Sequence, residues 1–165
     1  MVTSNSSPLI HLTRLGKIEY LFELVKKINI PEAVSDEVIT HGKEKKYSEA
    51  YIIERFIREE KIEVIKLAEF DSSFYPPLGH GELEAIELAR QRNEILLIDE
   101  KKARNLADIL KIDHQTTLTT IFELLITGTI NSSEYVSNIK EFAEDSWISA
   151  DVIQEYLEKG EKYGR

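Results

Sequence analysis

Short segments of strand character alternating with stretches of helical periodicity constrain this chain more than any other feature. Val2 to Ser4, Ile28 to Ile30, Ile62 to Leu67 and Ile95 to Ile98 each have strand length, and a shorter strand-like piece lies near Ile112 to Thr116. Between them apolar residues recur at helical spacing, as in Leu9, Leu12, Leu15, Ile18, Leu21 and Val25, which marks helices with one buried face. Strands alternating with helices imply right-handed crossovers and a parallel sheet covered by helical layers. The expected fold is therefore α/β: a three-layer α/β/α domain with a short parallel sheet of about four or five strands and a helical C-terminal tail.

Ser6 or Ser7 is placed to cap the first helix, whose first turn accepts Pro8, and Gly16 divides a helical stretch running to about Lys27. Pro31 starts a helix holding Val34, Glu37 and Val38, and another spans about Ser48 to Glu60. The run of Ser, Tyr, Pro and Gly from Asp71 to Gly81 reads as a loop. After it come a helix from Glu82, a helix ending near Leu110, and tail helices at about Leu118 to Ile126, Ser133 to Phe142 and Ala150 to Lys159. At 165 residues the chain has the size of one domain, with a helical extension over residues 131–165.

A net charge of -9 argues against a general polyanion binder. Basic and acidic residues balance as far as Lys66, and the excess acid lies beyond it. Nucleic-acid binding would need local patches such as Lys43-Glu44-Lys45-Lys46 or Lys101-Lys102-Ala103-Arg104, each of which reads equally as solvated helix surface. There is no Cys, no export signal and no apolar run approaching the roughly 20 residues of a membrane span. A cytoplasmic protein without a membrane partner is expected.

In an open parallel sheet ligands bind outside the carboxyl ends of the strands. Asp99 stands there, after Ile95 to Ile98, and Glu82 heads a helix stripe with Ala85, Ile86 and Ala89, whereas Glu84 and Glu87 lie elsewhere. Glu37 shares a stripe with Ala33 and Val34 and so is expected to face inward, with Glu32 and Asp36 in solvent. Each acid also has a structural reading: Glu82 as complement to the helix dipole, Glu37 at a stripe border, Asp99 as an N-cap. His11, His41, His80 and His114 are far apart and lack partners at ligand spacing, so they read as surface or loop residues. No Gly-x-Gly-x-x-Gly follows the first strand and no Walker-type loop occurs. A receiver-like domain also gathers acids at strand ends, but the helical tail and the Glu-led helix fit it poorly.

Ser4-Asn5-Ser6-Ser7-Pro8-Leu9-Ile10, Gly81-Glu82-Leu83-Glu84-Ala85-Ile86 and Leu97-Ile98-Asp99-Glu100 with Arg104 resemble the PIN-domain superfamily, and within it a branch of small prokaryotic PIN-like proteins once catalogued as a domain of unknown function. The tail Trp147-Ile148-Ser149-Ala150-Asp151-Val152-Ile153 resembles that branch's last helix. The resemblance implies a Mg2+- or Mn2+-dependent ribonuclease acting on single-stranded RNA, of a kind often encoded as a toxin beside a small antitoxin protein and often a homodimer or higher oligomer. It assigns the metal to Asn5, Glu37, Glu82 and Asp99, with Glu37, Glu82 and Asp99 catalytic. It makes Ser6, Arg104 and Thr117 substrate-binding or supporting residues.

Asn5 departs from that pattern, because active PIN domains usually carry Asp there. An amide offers its carbonyl oxygen to a metal but no charge, so the resemblance implies weaker metal binding, a slower enzyme or a pseudo-nuclease. Asn5 also reads as a turn residue tolerating an unusual backbone angle. The alternative function is a non-catalytic PIN-like module that binds RNA or a partner protein.

Overall fold

The computed structural model describes residues 1–163. Strand β1 (Val2–Ser4) leads into helices α1 (Ser6–Arg14) and α2 (Ile18–Leu24), then β2 (Ile28–Pro31). A helical stretch follows in three parts, α3 (Glu32–Ser35), a π-helical turn (Asp36–His41) and α4 (Gly42–Glu44), before α5 (Ser48–Arg58) and β3 (Ile62–Ile65). A 3-10 turn (Ser72–Phe74) lies in the loop before α6 (His80–Arg92), β4 (Ile95–Leu97), α7 (Lys101–Ile109) and β5 (His114–Gln115). The tail is α8 (Thr117–Ile126), α9 (Ser132–Asp145) and α10 (Ala150–Tyr163).

All pairings in the five-stranded sheet are parallel, in the order β3-β2-β1-β4-β5. The chain steps outward from β1 through β2 to β3, then returns to the other side of β1 with β4. The crossover direction therefore reverses between β1 and β4, and the crevice beyond their carboxyl ends is where such sheets bind ligands. β1 lies at the centre and is buried at all three positions, as a strand covered on both faces must be. Its Thr3 hydroxyl donates to Glu94 Oε2 at 2.8 Å and Asn29 Nδ2 of β2 donates to Glu94 Oε1 at 2.8 Å. Burial alone would push the Glu94 carboxyl up, but hydrogen bonds from Asn29, Thr3 and Arg92 outweigh it and hold the group below its ordinary value.

Three expected boundaries move for physical reasons. β3 is an edge strand, and it stops at Ile65 rather than Leu67 because β2, on which it depends, ends at the paired Pro31. Pro31 is the N-cap of α3 rather than its first residue. The helix expected through Glu37 and Val38 widens into a π turn. Val34, Val38 and Gly42 are all buried, at a four-residue spacing that drifts around an α-helix of 3.6 residues per turn and that a wider turn keeps on one face.

Helix α10 passes the expected end at Lys159 and continues to Tyr163. Gly160 sits against the fully buried ring of Tyr135, where a Cβ would lie 2.3 Å from Cε1. The Tyr135 hydroxyl donates to the Tyr156 carbonyl at 2.7 Å, which joins α9 to α10. No helix among the described residues is long and apolar enough to cross a membrane.

Candidate acidic site

Asn5 directly follows β1 and occupies the N-cap position of α1, yet its side chain makes no cap hydrogen bond. Its φ of -80° is ordinary extended backbone, so the reading as a turn residue with an unusual angle is corrected. The residue is 4% exposed, and its Oδ1 is buried without a hydrogen-bond partner. An Asn at an N-cap normally spends that oxygen on the helix. Here it is left over, and a buried acceptor without a donor costs about 1–3 kcal/mol.

Gly81, in the first turn of α6, shows where that oxygen lies. A Cβ on Gly81 would stand 3.0 Å from Glu37 Oε2 and 3.7 Å from Asn5 Oδ1. The missing side chain thus leaves a space that both oxygens border. Glu37 is exposed at the mouth rather than turned into the core, because α3 and the π turn direct Val34 and Val38 inward instead. Ser6 Oγ donates to Glu37 Oε2 at 2.6 Å and ties the start of α1 to that turn.

Glu82 is half-buried beside Gly81, with Ala85, Ile86 and Ala89 of its stripe buried behind it. It also makes the acidic half of a capping box, its Oε2 accepting from Gly79 N at 2.9 Å, so the structural reading of Glu82 holds alongside its place at the cavity. Burial pushes its carboxyl up, and the charges of Glu100 and Glu37 add to that.

Asn5, Glu37, Gly81 and Glu82 line one cavity of about 710 Å³. Its wall carries five carboxylates, Glu32, Asp36, Glu37, Glu82 and Glu84, and no Lys or Arg. Glu84, expected elsewhere, joins this wall because Ala33 N donates to its Oε2 at 3.1 Å. Glu87 is buried with Arg90, Gln91 and Tyr75 around it.

Asp99 stands beyond β4 but does not line this cavity. It is not the N-cap of α7, a position that Glu100 takes. It holds the start of α8 instead: Thr117 N donates to Oδ1 at 2.8 Å and Thr117 Oγ1 to Oδ2 at 2.7 Å. His11 Nδ1 also lies 3.1 Å from Oδ2, so this histidine has a partner that its spacing in the chain concealed. Arg104 lies outside the cavity wall, and its Nε is buried without a partner among the described residues.

Among the described residues, no three His, Cys, Asp or Glu side chains stand close enough to hold one metal ion. The candidate donors in this cavity are of another composition: the carboxylates of Glu37 and Glu82 and the amide oxygen of Asn5 line its wall, and Glu37 Oε2 and Asn5 Oδ1 border the gap at Gly81. That all-oxygen set fits a hard divalent cation such as Mg2+, which keeps several waters and is commonly held by one or two carboxylates. The leftover Asn5 oxygen is the specific sign of fit, since it is a buried acceptor that a cation would satisfy.

A family model described as a PIN domain matches residues 1–162. Among solved structures, a domain of a functionally unknown protein from Methanocaldococcus jannaschii is similar at 23% identity, with 70% of this chain and 89% of that chain covered and a TM-score of 0.48. No curated protein matches.

Proposed function

We propose that this chain, which belongs to the PIN-domain family, is a metal-dependent endoribonuclease that works at the acidic cavity beside Gly81. The observation that supports this most is the buried, unpartnered Asn5 Oδ1 facing the same gap as Glu37 Oε2. Asn5, Glu37 and Glu82 would hold Mg2+ or Mn2+. When bound, such an ion lowers the pKa of a water and offsets the negative charge that develops at phosphorus.

The chain's own residues prepare that chemistry. Ser6 fixes Glu37 through its hydroxyl, and the Gly79 N–H fixes Glu82. Thr117 and His11 hold Asp99 at the end of β4, outside the cavity wall, where its carboxylate fixes the start of α8 rather than reaching the ion. The carboxylate wall repels an RNA backbone until a cation is present, so metal and substrate are bound in order. Lys101, Lys102 and Arg104 on α7 supply positive charge for the strand's phosphates. As a toxin of this family the protein would be held in check by a small antitoxin covering the cavity mouth, and it would act as a homodimer.

Wild-type protein with Mn2+ is expected to cut a mixed-sequence single-stranded RNA internally, to stop when the metal is chelated, and to resume when Mn2+ is restored. Cleavage that persists in excess chelator would sink the reading. A second reading, a PIN-like module that binds RNA or protein without cutting, is favoured by the neutral Asn5 and the lack of three grouped metal-ligating side chains among the described residues. RNA binding without cleavage under the same conditions would decide for it.

A further inference from the structure

The acidic cavity is adjoined by a second one of about 520 Å³, and the two share Glu37 and His41 in their walls. Both shared residues belong to the π turn, a rare geometry that is often found at functional sites. We propose that this second cavity binds one unpaired nucleobase of the RNA strand next to the bond being cut. The inference rests on the nuclease reading above and adds where the substrate lies.

The chemistry of the wall selects a base over a phosphate. Glu37, Glu44 and Glu49 stand against Arg14 and Lys45, so the cavity carries both signs of charge and no excess of cations to attract a phosphate. Arg14 is already paired with Glu49, and its Nη1 lies 3.8 Å from Asp145. What remains is an apolar floor of Ile10, Val38 and Ala50 with hydrogen-bonding groups around it. That combination suits a flat neutral ring with polar edges, and the volume falls within the range of small-ligand sites.

Tyr47 completes the argument. It directly precedes α5 on extended backbone, makes no cap hydrogen bond, and is 47% exposed at the cavity wall. An exposed aromatic ring beside a pocket is the platform on which single-stranded bases stack. Turning a base out of a duplex costs its pairing and stacking energy, so the site favours unpaired RNA. A strand whose base stacks on Tyr47 passes over His41 and Glu37 into the acidic cavity.

The test is binding of a short, mixed-sequence, fluorescently labelled single-stranded RNA in Ca2+, a hard cation that takes oxygen ligands and fills the acidic cavity, with cleavage then measured in Mn2+, for wild type, Tyr47→Ala and Tyr47→Phe. Tyr47→Ala is expected to weaken binding about tenfold or more and to raise KM with kcat held, while Tyr47→Phe stays within about twofold, because base stacking needs the ring and not the hydroxyl. Tyr47 is exposed, so neither change threatens the fold. Binding of Tyr47→Ala at the wild-type level, or equal weakening by Tyr47→Phe, overturns the proposal, as does a wild type that binds no RNA. RNA held through Tyr47 but never cut would sink the nuclease reading and keep this site. RNA cut by Tyr47→Ala at the wild-type KM would do the reverse.

Discussion

Glu82→Gln should reduce RNA cleavage at least about a hundredfold, since even groups that only support a metal ligand typically cost 10–100-fold when removed. The same substitution should raise the melting temperature of the metal-free protein at neutral pH. Glu82 is half-buried and faces the charges of Glu100 and Glu37, so folding pushes its pKa above the ordinary value. A carboxyl raised in this way favours the fold while it is protonated, and that contribution is lost as pH rises through its folded pKa. Gln cannot ionise and still offers an oxygen to the Gly79 N–H, so its advantage appears above that pKa and fades as pH falls below it. Activity and stability thus move in opposite directions, as expected of a group kept for function. Full activity in Glu82→Gln would instead identify a contaminating nuclease.

Gly160→Leu should cost at least about 3 kcal/mol, the upper end of ordinary overpacking, or roughly 6–12 °C in Tm for a chain of this size. Even a Cβ at this position would lie 2.3 Å from Tyr135 Cε1 and 2.6 Å from Cδ1. Tyr135 has no room to retreat, being fully buried and bound through its hydroxyl to the Tyr156 carbonyl. The substitution therefore lifts α10 away from α9, also breaking the 2.8 Å contact between Thr119 Oγ1 and the Tyr156 hydroxyl. Differential scanning calorimetry with limited proteolysis would show a lower Tm and early cuts within α10. An unchanged Tm would contradict the seating of α10 on Tyr135.

Gly160 also shows what sequence patterns convey and what they hide. Helical spacing carries the expected last helix to about Lys159, one residue short of Gly160. Only the packing against Tyr135 explains why the helix tolerates this residue and continues. Strand β4 is legible as a short apolar run and β3 as an alternating one, and Asn5, Glu37 and Glu82, which line one cavity, are legible because their positions in the chain resemble those of a known superfamily.

Other features depend on contacts between distant elements. The π turn shows only once Gly42 is known to be buried in line with Val34 and Val38, and Glu37 stands at the mouth of the cavity instead of the expected inward position. Glu84 joins the acidic wall through the amide of Ala33, and His11 meets Asp99 across 88 residues of chain. Asp99 has the local sequence of an N-cap but spends its oxygens on Thr117. Helical counting carries no information about partners that are supplied by another helix.

The most direct test of the metal centre is calorimetric titration of Mn2+ into wild type and Asn5→Asp. The wild type should show one site, and Asn5→Asp should bind at least about tenfold more tightly. Tenfold corresponds to 1.4 kcal/mol, well within the ~4 kcal/mol that opposite unit charges gain at 4 Å near a protein surface. Equal affinity in the two proteins, or no binding in either, would contradict a metal site built around Asn5, Glu37 and Glu82.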